Sequence, residues 1–173
     1  ANWVALVGDR YRVDPALVEE FDALAFARET EAARRAMVRA EEGAVARLEQ
    51  ALARYRGDFL DGEPVGDWHI EHRDHLQRLY VAALMDLGAK LVHEERHASA
   101  AEAYRRVLAR DELHEEALLA LMRCLAETGE RSQALRLYRS FAERLRGELE
   151  AEPGMETTRL FERLQTLGRF MVS

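Results

Sequence analysis

Two stretches of this chain, Leu84 to Arg110 and Leu118 to Arg144, superpose at an offset of 34 residues with their small, apolar and aromatic positions in step. Leu84 falls on Leu118, Leu87 on Leu121, Leu91 on Leu125, Ala100 on Ala134, Tyr104 on Tyr138, Arg105 on Arg139 and Arg110 on Arg144. A period of this length is one helical hairpin, too small to bury its own apolar face, so successive units must stack on each other. This requirement predicts an all-α chain whose outer faces are open for binding.

The spacing is that of the tetratricopeptide repeat. Ala100 and Ala134 are the small residues that let paired helices approach closely, and Tyr104 and Tyr138 fill the groove between neighbours. Gly129 suits the turn of the second unit, where the first has Glu95. The proline expected at the end of each unit is replaced by Glu112 and Arg146, so the repeats are degenerate. Ala134→Leu is expected to cost about 1–3 kcal/mol by overpacking.

Along the chain, Trp3–Val7 and Arg10–Val13 read as β-prone runs around a Gly8-Asp9 turn. Helical periodicity follows from Asp22, a candidate N-cap, to about Ala40, with Leu24, Ala27, Ala32, Ala36 and Met37 for an apolar face. A second helix, Ala44–Arg56, carries Val45, Leu48, Leu52 and Tyr55, and pairs with the first. Residues 57–66 hold three glycines and a proline and read as a loop anchored by Phe59 and Leu60. Asp67 can cap a helix from Trp68 to about His93, followed by His97–Arg110, Leu113–Glu127, Arg131 to about Leu149, and Met155 to about Leu167. The expected architecture is a tetratricopeptide-like superhelix of about seven helices with a short N-terminal β-hairpin.

Composition narrows the function. At 173 residues, with 48% hydrophobic and 33% charged residues but 3 Pro and 10 Gly, the chain is globular rather than disordered. A lone Cys124 excludes an intrachain disulfide and reads as a small core residue. No apolar run approaches the roughly 20 residues that cross a bilayer, so a cytoplasmic location without membrane contact is expected. A first residue that is not Met suggests a piece of a longer product. The net charge of −7 repels phosphate backbones, which disfavours nucleic-acid binding by this piece. Arg131, Arg136, Arg139, Arg144 and Arg146 scatter over a wide helical arc and read as a solvated face paired with glutamates.

The string Ala51-Leu-Ala-Arg-Tyr-Arg-Gly-Asp-Phe-Leu-Asp-Gly62, followed by Asp67-Trp68, Arg73, Leu76 and Leu79, resembles the bacterial transcriptional activator domain. So do Glu116, Ala117, Leu121 and Met122, then Gly129, Ala134, Leu135, Tyr138, Leu145 and Glu148-Leu149, and lastly Glu152-Pro153. That family is a tetratricopeptide-like module of antibiotic regulatory proteins and related regulators. The resemblance implies that residues 22–173 are the activator domain. It further implies that residues 1–21, with the Arg10-Tyr11-Arg12 ending, are hairpin and linker from the tail of a winged-helix DNA-binding domain absent from this chain. DNA would then be reached only through that upstream domain, and the partners would be proteins, a second copy or RNA polymerase. A stand-alone tetratricopeptide adaptor is the alternative.

Catalytic constellations are weak. His69, His72 and His75 fall at i, i+3 and i+6, which puts the first and third about 240° apart on a helix. They cannot all meet one ion, and a two-histidine site through His72 is the open alternative. His93 and His97 are separated by a turn at Glu95-Arg96. Paired carboxylates such as Glu41-Glu42 diverge by about 100°, Ser99, Ser132 and Ser140 lack a glycine-rich elbow, and no phosphate-binding loop occurs. A non-enzyme without cofactor or metal is expected. A binding face would lie on the first helix of each hairpin, at Met85, Ala89 and His93 and at Leu119, Arg123 and Glu127. Arg123, alone among Leu121, Met122, Cys124 and Leu125, is the foremost contact candidate; the competing reading pairs it with a local glutamate.

Overall fold

A computed structural model describes the backbone of residues 4–7, 10–13, 22–55 and 68–169 and the side chains of residues 23–55 and 71–166. Within these, strands β1 (Val4–Val7) and β2 (Arg10–Val13) precede helices α1 (Asp22–Val38), α2 (Ala44–Ala53), α3 (Trp68–His93), α4 (His97–Leu108), α5 (Glu115–Glu127), α6 (Arg131–Leu149) and α7 (Met155–Arg169). The strands pair antiparallel, Val4 opposite Val13 and Leu6 opposite Tyr11, on the two runs expected of a hairpin. The Gly8-Asp9 turn, the Asp67 cap and the loop with Phe59 and Leu60 lie outside the described residues. No helix among the described residues is long and apolar enough to cross a membrane.

The chain divides into two units, Ala1–Ala83 and Leu84–Ser173, with α3 contributing to both. In the first unit α1 packs on α2. The buried stripe of α1 is Phe26, Thr30, Ala33 and Ala36, and that of α2 is Ala44, Leu48, Ala51 and Leu52. The α1 stripe corrects the expected one, which shares only Ala36 with it and includes Leu24, 40% exposed. Phe26 decides the rotation. Its ring lies 5.2 Å from Tyr55 and 6.3 Å from Tyr80, and Tyr55 stacks on Tyr80 at 4.1 Å. An aromatic ring buries more area than Leu24 offers, and the ring pairs add to it.

In the second unit α4 packs on α5, α5 on α6, and α7 on both α5 and α6. Ala100 and Ala134 are fully buried, as small residues at close helix crossings must be. Helices α1, α3 and α5 end alike. Glu41 N–H donates to Ala36 O (3.0 Å), Arg96 N–H to Leu91 O (2.9 Å) and Glu130 N–H to Leu125 O (2.7 Å). The preceding residues, Ala40, Glu95 and Gly129, turn left-handed at φ 53°, 58° and 81°. This backbone cap satisfies the last carbonyls and stops each helix, which is why α1 ends at Val38 rather than Ala40. Only one of the three is glycine, so Glu95→Gly is expected to stabilise by about 1 kcal/mol by removing the left-handed Cβ penalty. A melting temperature that fails to rise would contradict it. The start of α5 is also later than the expected Leu113, because Asp111 Oδ1 accepts from Leu113 N–H (3.1 Å) and His114 Nδ1 caps Ala117 N–H (3.3 Å).

Candidate partner-binding groove

The second unit carries an open cavity of about 470 Å³ between α3, α4, α5 and α7. Helix α5 supplies Ala120, Arg123, Cys124 and Glu127, the i, i+3, i+4, i+7 stripe of one face, while Leu118, Leu121 and Leu125 turn into the core. Helix α3 adds Ala89 and Val92, α4 adds His97 and Tyr104, and α7 adds Arg163.

Tyr104 is 4% exposed. Its ring lies across Gly88, where a Cβ would stand 2.5 Å from Cζ. Leu84-x-x-Leu87-Gly88-x-x-Leu91 is the tetratricopeptide pattern in which that glycine makes room for the aromatic residue of the second helix. In the next repeat Met122 takes the place of Gly88. Tyr138 is only half-buried there, stacks on Phe161 at 4.1 Å, and shares a hydrogen bond of 3.0 Å with Thr158 Oγ1. Equivalent tyrosines thus do different work: one backs the cavity, the other docks α7.

Burial pushes the Tyr104 phenol up to about 12, with Cys124 and Glu116 adding and the Arg123 charge opposing. Burial also raises the Cys124 thiol. Tyr104 is therefore a neutral hydrogen-bond donor at physiological pH. A raised acid in the folded state gives stability that is complete below its ordinary value of 10 and is lost as pH climbs from 10 toward 12. Melting temperature is expected to fall more steeply across that window in the parent than in Tyr104→Phe, and parallel profiles would contradict the burial argument.

Of the residues singled out in the sequence, Ala89, Arg123 and Glu127 line the cavity. Met85 and Leu119 are half-buried and His93 is exposed, all three outside its lining. Arg123 pairs with Glu156 in the first turn of α7, a partner 33 residues away rather than a local one. Cys124 is core and cavity wall at once. The arginines of α6 take varied partners: Arg144 pairs with Glu112 and Glu148, Arg146 binds Glu152 through two nitrogens at 2.8–2.9 Å, and Arg139 lies 5.8 Å above the Phe161 ring. His72 is half-buried and His75 exposed, and the side chain of His69 lies outside the described residues. No group of three or more histidines, cysteines and carboxylates among the described residues could hold a metal.

Sequence reading missed how α7 is seated. Glu115 Oε1 accepts from Gly154 N–H and from Thr157 Oγ1–H, each at 2.6 Å. A carboxylate at the start of α5 thus caps the N-terminus of α7, where helix-end donors and the dipole favour negative charge.

Paired helices at the tetratricopeptide spacing define the class of this protein, and the fold is shared with a solved structure. The C-terminal tetratricopeptide-containing domain of a Plasmodium falciparum protein that carries the name of an FK506-binding protein superposes with a TM-score of 0.61 at 15% identity, covering 90% of this chain and 96% of that one. No curated protein matches the sequence. The profile of the bacterial transcriptional activator domain matches residues 21–165, and the chain belongs to that family. The family is thus that of a transcriptional activator domain, and the fold is tetratricopeptide-like and all-α.

Proposed function

We propose that this chain is the regulatory and protein-interaction part of a bacterial transcriptional activator. It acts through self-association, contact with RNA polymerase or effector sensing, while a winged-helix domain upstream binds DNA. The observation that carries this reading is the family match over residues 21–165. In it, residues 1–21 are the tail of the DNA-binding domain and 22–173 the activator domain, a division that also suits the net charge of −7, since phosphate contacts then belong to the other half. The protein partner would meet the α3/α5 face, where Arg123, Ala89 and Glu127 stand at one cavity, and the whole would work in the bacterial cytoplasm. The test is in vitro transcription with the full reading frame, intact and with residues 22–173 deleted. The deletion is expected to keep the promoter footprint and lose activation. A reading frame without a DNA-binding domain, or activation undiminished by the deletion, sinks the reading.

A further inference from the structure

The start of α5 is capped by a side chain that takes up a proton near neutrality. His114 is half-buried, and its Nδ1 accepts from Ala117 N–H at 3.3 Å. Its backbone is tied on both sides: Asp111 O accepts from His114 N–H at 3.2 Å, and His114 O accepts from Leu118 N–H at 3.1 Å. A ring nitrogen that accepts carries no hydrogen, so this cap exists only with the neutral imidazole. Serine, threonine, asparagine and aspartate, the usual caps, keep their acceptor oxygen throughout the neutral range. Histidine loses its acceptor between about pH 5 and 8.

Protonation of Nδ1 sets a donor against the Ala117 N–H and places a cation at the positive end of the α5 dipole. Ala117 is fully buried, so its N–H cannot turn to bulk water, and the first turn of α5 must move instead. The charged groups at this end of the unit give the imidazolium somewhere to go. Asp111 and Glu112 precede α5, and Glu115 and Glu116 open it. From α6 come Arg144, held by Glu112 and Glu148, and Arg146, held by Glu152 ahead of α7. Arg110 follows α4, whose Tyr104 phenol feels the Glu116 charge. Carboxylates outnumber cations here, and the arginines of α6 are already engaged.

We propose that His114 is a proton-operated latch on the seat of α7. In its neutral form it holds the turn in which Glu115 Oε1 accepts from Gly154 N–H and Thr157 Oγ1–H. In its protonated form it releases Ala117 N–H and turns to the carboxylates, and the turn carrying Glu115 shifts, which loosens the start of α7. That start bears Glu156, the partner of Arg123 on the cavity lining, so the cavity wall changes with it. The buried Leu118, Leu121 and Leu125 keep the rest of α5 in place. A drop in pH then weakens partner binding, a consequence that rests on the reading of this face as the partner-binding groove. The latch itself rests on the hydrogen bonds at α5 and needs no partner.

The test is heteronuclear NMR of the purified chain from about pH 8 down to about pH 5, the range of histidine titration. The His114 ring nitrogens are followed together with the amides of Ala117, Gly154 and Thr157. The Ala117 and Gly154 amide signals are expected to move with the midpoint of the His114 ring. Protection of the Ala117 amide, corrected for the intrinsic pH dependence of exchange, should fall at least several-fold. His114→Asn keeps a cap acceptor that does not titrate and should hold all three amide signals still. An Ala117 signal indifferent to the ring titration, a Gly154 signal that stays put while Ala117 moves, or titration that persists in His114→Asn overturns the proposal. None of these outcomes bears on the activator reading, which the transcription assay decides separately.

Discussion

Replacing Glu115 by alanine is expected to lower the stability of the chain by about 3 kcal/mol, a drop of about 6–12 °C in melting temperature. One carboxylate oxygen accepts two short hydrogen bonds, from Gly154 N–H and Thr157 Oγ1–H. Bonds to a charged acceptor are each worth more than neutral ones. Thr157 is 2% exposed, so its hydroxyl cannot turn to bulk water when the acceptor goes. Glu115→Gln keeps an acceptor oxygen of the same reach without the charge and should retain part of the loss. In Glu115→Ala, Thr157→Val should cost little further, since the two side chains share one bond. An unchanged melting temperature in Glu115→Ala would mean that α7 is seated by its apolar face alone.

Ala134→Leu should cost about 2–3 kcal/mol, the upper part of the range for overpacked cores. Ala134 is fully buried where α6 packs on α5, with Leu118, Leu121 and Leu125 already filling the interior. Three extra heavy atoms must push the helices apart or force the side chain off its rotamers. A chemical-denaturation midpoint that does not move would refute the 34-residue register on which the groove positions depend. Ala142→Leu, at a half-buried position two turns further along α6, is the control and should cost less.

The repeat was legible because it is written locally and twice. Leu84, Leu87, Leu91 and Ala100 recur at a fixed offset, and that offset fixes α3 to α6 together with the wall positions Ala89, Arg123 and Glu127. The helix stops at Ala40 and Glu95 were hidden, since neither residue is the glycine that normally marks a left-handed cap. His114 hid the start of α5 for a similar reason, being an uncommon N-cap. The rotation of α1 depends on Tyr55 and Tyr80, residues 29 and 54 positions after Phe26, a distance at which periodicity carries no signal. Helix α7 lies outside the period altogether, and Arg163, Glu156 and the Glu115 contacts were invisible with it. Tyr104 was legible as a groove filler.

The seating of α7 has a bearing on where this polypeptide can be shortened. The repeats end on paper at Leu149, and the extended stretch after it looks like a natural place for a protease to cut. Scission there would not shed an ornament. It would strip the acceptor's two donors from Glu115, the counter-ion from Arg123 and the stacked ring from Tyr138, and open the floor formed by Leu160 and Leu164. The remaining fragment would present an aromatic and leucine surface to its neighbours and precipitate, so a stable shorter form must retain the chain through the last turn of α7.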